Sequence, residues 1–309
     1  MTIESLRTPD DRFVGLPDWP YAPRYIDDLP GYQGLRMHYI DEGPKKEGPT
    51  FLCLHGEPTW SYLYRKMLPV FLAAGHRIVA VDLFGFGRSD KPIDDTVYTF
   101  SFHRNALLAF VERLDLRDVC LVVQDWGGIL GLTLPMEAPA RYTRLIVMNT
   151  VLPAGEEAGE GFAAWRTYNR SQPDLDVAAL MKRTTPILSD AEAAAYAAPF
   201  PDARFKGGVR RFPELVMLRE AGQAELTSSS REGVQVALRA RDFWSGVWAG
   251  ASFMAVGMRD PVLGPSIMQD LRRVISKCPD AIEVAEGGHF VQEWGGPIAK
   301  AALERFRLD

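Results

Sequence analysis

The sequence predicts an α/β protein: a mostly parallel, doubly wound sheet with an inserted helical cap. Three observations predict it. Short apolar runs bounded by turn residues alternate with longer helical stretches. The runs are apolar on successive residues rather than on every second one, as expected of parallel strands covered on both faces. The alternation then stops between about 153 and 230, where helical stretches follow one another without a strand.

In chain order, strands are expected at 51–55 (FLCLH), 77–82 (RIVAVD), 119–124 (VCLVVQ), 144–149 (RLIVMN) and 252–257 (SFMAVG). Helical stretches at 103–114 and 128–138 separate them, which implies βαβ units. The interrupting segment holds GEEAGEGFAAWRTYN, DLDVAALMKR and SDAEAAAYAAPF. Within it Ser189 is a plausible helix N-cap, with Glu192 three residues later completing a capping box. After SFMAVG a helix at 265–276, a strand at 281–285 and a last helix close the chain. Residues 1–152 and 231–309 are thus expected to form the core domain and 153–230 the cap.

The bulk properties narrow the function. At 309 residues and 47% hydrophobic, the chain can bury a large core. The net charge is −5 and basic residues are spread out, which argues against nucleic acid or an anionic membrane as partner. The N-terminal stretch MTIESLRTPDDRF is polar and reads as no secretory signal. No run approaches the ~20 apolar residues of a membrane helix. Cys53, Cys120 and Cys278 are far apart and odd in number, matching neither a disulfide framework nor a zinc site. Cys53 and Cys120 fall inside strand-like runs and are expected as small buried hydrophobes. The expected compartment is the cytoplasm and the expected partner a small molecule.

The chemistry starts where VCLVVQ ends. Asp125-Trp126-Gly127-Gly128 follows at once, and then a helix. A sharp strand–turn–helix junction lifts its central residue above the sheet, the geometry of a nucleophile elbow. Asp stands here where Ser is usual, and Val123 replaces the first Gly of the motif. Taken alone, Asp125 is either that nucleophile or an N-cap of the following helix. Its partners favour the nucleophile. Asp260 comes just after SFMAVG, and His289 sits on a glycine loop before the last helix. All three fall at carboxyl ends of strands, where open α/β sheets place their sites, in the order nucleophile, acid, histidine. Directly after the first strong strand, His55-Gly56-Glu57-Pro58 matches the loop that donates a backbone N–H to an oxyanion hole. His55 reads as structural there, and the backbone of Glu57 as functional.

Four motifs carry a resemblance: His55-Gly-Glu-Pro-Thr-Trp60, Asp82-Leu-Phe-Gly-Phe-Gly-Arg-Ser-Asp90, Gln124-Asp-Trp-Gly-Gly128 and Gly288-His-Phe-Val-Gln-Glu293. They resemble the haloalkane dehalogenases of the α/β-hydrolase fold, most of all the subfamily of the dichloroethane-degrading enzyme. The similarity runs nearly end to end, including Leu6-Arg-Thr-Pro-Asp10. It implies Asp125 as nucleophile, His289 as base, Asp260 as acid, Trp126 as a halide-binding tryptophan, and the N–H groups of Glu57 and Trp126 as oxyanion hole. One position departs. Where that subfamily's cap reads Met-Lys-Arg-Trp, this chain has Met181-Lys182-Arg183-Thr184. Trp165 is the best replacement as second halide donor; otherwise it is a core aromatic under the cap. Expected pocket walls are Ile129, Phe162, Val262, Leu263 and Phe290.

These residue types suit displacement of halide from tetrahedral carbon. A carboxylate is ionised at neutral pH and needs no base to attack. An indole N–H donates without being a competing base, and two such donors are expected to lower the barrier by roughly 3–6 kcal/mol. His289 then activates water to hydrolyse the alkyl ester, releasing alcohol, halide and a proton. No metal or organic cofactor is required. The rival reading is an epoxide hydrolase, with Tyr168 and Tyr196 as cap tyrosines; Gln124 stands where that class has His. A fluoroacetate dehalogenase would need arginines near Asp125, and a non-catalytic binding protein a broken triad.

Overall fold

The computed structural model describes residues 3–45 and 48–309; residues 1 and 2 of the polar N-terminal stretch lie outside the described residues. The core is an eight-stranded sheet. Its strands are β1 (Arg24–Ile26), β2 (Met37–Glu42), β3 (Thr50–Leu54), β4 (Arg77–Val81), β5 (Val119–Gln124), β6 (Tyr142–Met148), β7 (Ala251–Gly257) and β8 (Ile282–Val284). The spatial order is β8-β7-β6-β5-β3-β4-β2-β1. From β4 to β8 all neighbours run parallel, while β2 pairs antiparallel with both β1 and β4. The five strongest apolar runs are therefore all strands, and β3, β4 and β5 are buried at every position.

β1 and β2 have no counterpart among the strands read from sequence. The reason is visible in β2, MHYIDE, which is polar in sequence yet buried over its first five residues. His38 meets Asp82 at 2.6 Å and Asp41 takes two hydrogen bonds from Arg77, at 2.7 and 3.0 Å. Paired charges let a polar strand go inside, and apolar periodicity misses it. A correction applies to the helix expected at 128–138. Helix α3 spans only Trp126–Gly131. Beyond it Thr133 and Leu134 donate to the carbonyls three residues back, and Pro135, lacking an N–H, cannot continue an α-helix. Helix α1 spans Leu68–Ala73, and helix α2 (Phe100–Arg113) begins earlier than expected because Thr99 caps it, accepting from the Phe102 N–H at 3.1 Å.

Between β6 and β7 the chain is helical: α4 (Glu160–Ser171), α5 (Val177–Thr184), α6 (Asp190–Ala197), α7 (Gly207–Leu215), α8 (Ser228–Arg231) and α9 (Val234–Gly246). The capping box of α6 is present, with Ser189 and Glu192 exchanging side chain–backbone hydrogen bonds. Arg65, below the cap, bonds both Glu293 of the core and Glu192 of α6. Helices α10 (Pro265–Val274) and α11 (Gly295–Phe306) complete the core. No helix among the described residues is long and apolar enough to cross a membrane.

Candidate active site

Asp125 is the hinge between β5 and α3. Its backbone is at φ 46°, ψ −124°, a strained region for a residue with a Cβ. The turn is tight enough that a Cβ on Gly127 would overlap the Leu54 carbonyl, so glycine is required there. The Asp125 side chain makes no capping bond to α3. Its Oδ2 instead accepts from the Glu57 N–H at 2.8 Å, and the Trp126 backbone N–H also favours the carboxylate charge. Oδ1 faces His289, with Nε2 at 3.8 Å.

His289 closes a chain of contacts. Its Nδ1 lies 2.9 Å from Asp260 Oδ2. Asp260 is buried and also accepts from Asn149 Nδ2 (2.9 Å) and the Val262 N–H (2.8 Å). Burial works against the Asp260 charge, but His289 and these donors outweigh it and hold its pKa below the ordinary value. Burial also opposes an imidazolium at His289, yet Asp260 and Asp125 together push its pKa up to about 9. For Asp125 burial dominates and raises the pKa, against the pull of His289 and the two N–H donors. Asn149 was not singled out from the sequence. It stands at the carboxyl end of β6, a position that the strand rule could have flagged.

Every site residue expected from the sequence lines one cavity of about 1060 Å³ over Asp125. Ile129, Val262, Leu263 and Phe290 come from the core and Phe162 and Trp165 from α4. The structure adds cap residues with no local signal, among them Leu180, Pro213 and Leu218. His55 is held by its own loop: Nδ1 meets the Gly56 carbonyl at 2.8 Å and Nε2 accepts from the Leu83 N–H.

The tryptophans divide by their N–H groups. Trp60 donates to Ala195 O, Trp244 to Leu132 O and Trp248 to Ser252 Oγ. Trp126 and Trp165 line the cavity, and neither indole N–H meets a protein acceptor among the described residues. Trp126 is 2% exposed and packs on Phe212 with ring centroids 4.5 Å apart. Thr184 also reaches the cavity, but its hydroxyl donates to Leu180 O at 2.9 Å, one helical turn back. The two cap tyrosines separate as well. Tyr168 lines the cavity, whereas Tyr196 is buried away from it, hydrogen-bonded to Glu293 and Arg65.

Comparison with known proteins identifies the family. Residues 49–296 match the family model described as alpha/beta hydrolase fold. A haloalkane dehalogenase of Psychrobacter cryohalolentis is 42% identical, with 99% of each chain covered. One from Mycolicibacterium paratuberculosis is 38% identical over 94% of each chain. The solved structure of a tetrameric haloalkane dehalogenase from Paraglaciecola agarilytica superposes with a TM-score of 0.92 at 52% identity, covering 98% of both chains. The chain belongs to the haloalkane dehalogenases, hydrolases of the α/β-hydrolase fold that act on carbon–halide bonds.

Proposed function

We propose that Asp125, His289 and Asp260 carry the hydrolytic dehalogenation, under a cap formed by residues 153–230. Asp125 Oδ1 attacks the halogen-bearing carbon. The carbon–halogen bond breaks, the electron pair leaves with the halide, and an alkyl ester forms on Asp125. The halide departs toward the indole N–H of Trp126, with Trp165 as second donor from the cap. His289 Nε2 then takes a proton from water, and the hydroxide adds to the Asp125 carboxyl carbon. Charge builds on Oδ2, which already accepts from the Glu57 N–H; the Trp126 N–H serves as the second donor, and preorganised donors act most strongly on such developing charge. The ester oxygen leaves with the proton from the imidazolium as the alcohol, and the carboxyl of Asp125 then gives up the hydroxide's remaining proton to solvent by way of His289, which regenerates the carboxylate. Asp260 orients the ring and stabilises its positive form.

The observation that carries this reading is the placement of a strained Asp125, whose side chain does not cap α3, between the Glu57 N–H and His289. The apolar walls suit a small halogenated alkane. The distance of Tyr196 from the cavity disfavours an epoxide hydrolase, which would need a pair of cap tyrosines. Bromide release from dibromoethane, with no diol formed from styrene oxide, tests the assignment. The opposite pattern would overturn it. We place the enzyme in the cytoplasm, in keeping with its three free cysteines.

A further inference from the structure

His289 works against Asp125, yet no bond joins the two side chains: 3.8 Å separates Nε2 from Oδ1, beyond hydrogen-bond reach. The gap suits a base that must aim a water at the ester carbon rather than hold the nucleophile. Its width is set by the main chain that carries the base. That loop follows β8, and β7 and β6 lie between β8 and the strand of the nucleophile, β5. It leads back across the sheet by about 14 Å at the usual strand spacing. On the acid side, His289 Nδ1 meets Asp260 at 2.9 Å and the Arg259 N–H donates to the Gly287 carbonyl at 2.8 Å. On the nucleophile side, Gln124, the residue directly before Asp125, donates from Nε2 to the His289 carbonyl at 3.0 Å. Among the described residues this is the one hydrogen bond of the His289 main chain.

Stability alone does not account for Gln124. Its side chain is fully buried, at the end of a strand that is otherwise apolar. Its Oε1 has no hydrogen-bond partner among the described residues, and burying a polar atom unpaired costs free energy. Turning the amide over is no remedy, because Oε1 would then face the His289 carbonyl. The residue is a poor choice for the core and a good one for gripping that carbonyl, a local conflict of the kind found at functional sites. We propose that Gln124 is a positioning residue: its amide ties the His289 main chain to the strand that carries Asp125, and so fixes the stand-off at which the base activates water for ester hydrolysis. The inference rests on the dehalogenation mechanism above. Attack by Asp125 on the halogen-bearing carbon needs no base, so losing the tie acts on the second step.

Single-turnover rapid-quench kinetics with 1,2-dibromoethane separate the steps: bromide release reports ester formation, and decay of the alkyl-enzyme mass reports hydrolysis. Gln124→Met keeps the length without the donor. Its ester formation is expected to stay within about threefold of wild type and its hydrolysis to fall about 10- to 100-fold, as for a misplacement on the order of 1 Å. Its urea midpoint is expected to match wild type, because removing the unpaired Oε1 offsets the bond lost. Gln124→His presents a ring N–H at similar reach and should recover most of the hydrolysis rate. Gln124→Leu replaces the methionine variant if that one does not fold. The proposal is overturned by wild-type hydrolysis in Gln124→Met, by equal slowing of both steps, or by a loss in Gln124→His as large as in Gln124→Met. The underlying mechanism is read separately in His289→Gln. If that variant traps the alkyl-enzyme while the Gln124 tests fail, only the role of Gln124 falls; if it traps none, both fall together.

Discussion

His289 Nε2 stands 3.8 Å from Asp125 Oδ1, while its Nδ1 is 2.9 Å from Asp260. The histidine is bonded to Asp260 behind it and not to Asp125 in front. That asymmetry fits a nucleophile that is ionised without help and a base that acts only in the second step.

The order of events is therefore separable by mutation. Asp125→Ala should abolish halide release with an unchanged far-UV circular dichroism spectrum. His289→Gln should release one burst of halide and stop, its alkyl-enzyme visible as a mass increase. Steady turnover by either variant would contradict the assignment.

The raised pKa of His289 has a consequence for stability. The folded value of about 9 lies above the ordinary 6.5, so the favourable contribution is complete below 6.5 and is lost as pH rises through 9. The stability gap between wild type and His289→Gln, measured by urea unfolding, should be wider at pH 6.5 than at pH 10. A gap that widens with rising pH would reverse the sign. Catalytically, ester formation removes the Asp125 charge, one of the causes of the raised value, so the base is freed once the alkyl-enzyme forms. Single-turnover ester hydrolysis should accordingly keep its rate to lower pH than 9.

The two candidate cap positions for halide binding differ in one atom type. Among the described residues Trp165 has an N–H without a protein acceptor, and Thr184 has a hydroxyl engaged with Leu180. Trp165→Phe should weaken bromide binding, read by fluorescence quenching, more than Thr184→Val does. The reverse ranking would return the site to the region of Thr184.

Cap and core are joined through a buried charge. Arg65 and Glu293 have fully buried side chains, bonded at 2.6 and 2.7 Å, and Glu192 of α6 adds a contact at 2.6 Å. Arg65→Met should cost about 3 kcal/mol in urea denaturation, because it strips the buried Glu293 of its main partner. Glu192→Gln, at the partly exposed end, should cost about 1 kcal/mol. Equal losses would mean that cap docking, not the buried charge, dominates.

Much of the site was legible in the sequence because its signals are local. The runs FLCLH and VCLVVQ announce strands by composition, and the glycines after Asp125 announce the tight turn. Residues placed just after strands, Asp260 and His289, follow from that reading. The strand MHYIDE was not legible, since its polar side chains go inside only by pairing with Asp82 and Arg77, far along the chain. The end of α3 was misplaced because apolar residues continue to Met136 while Pro135 ends the hydrogen-bond ladder.

By itself the sequence determined the α/β class and the position of the helical insertion, and it offered a candidate nucleophile, acid and base in the order of the family. These rest on periodicity, turn chemistry and motif, which act over a few residues. Only the tertiary structure decided which polar groups lost water and which found partners. It showed that the Asp125 side chain does not cap α3, that Tyr196 is withdrawn to Glu293, and that, among the described residues, the indoles of Trp126 and Trp165 have no protein acceptor and the buried Glu57 Oε1 no hydrogen-bond partner. The physical reason is that desolvation and pairing are set by neighbours brought from distant parts of the chain, and no local pattern records them.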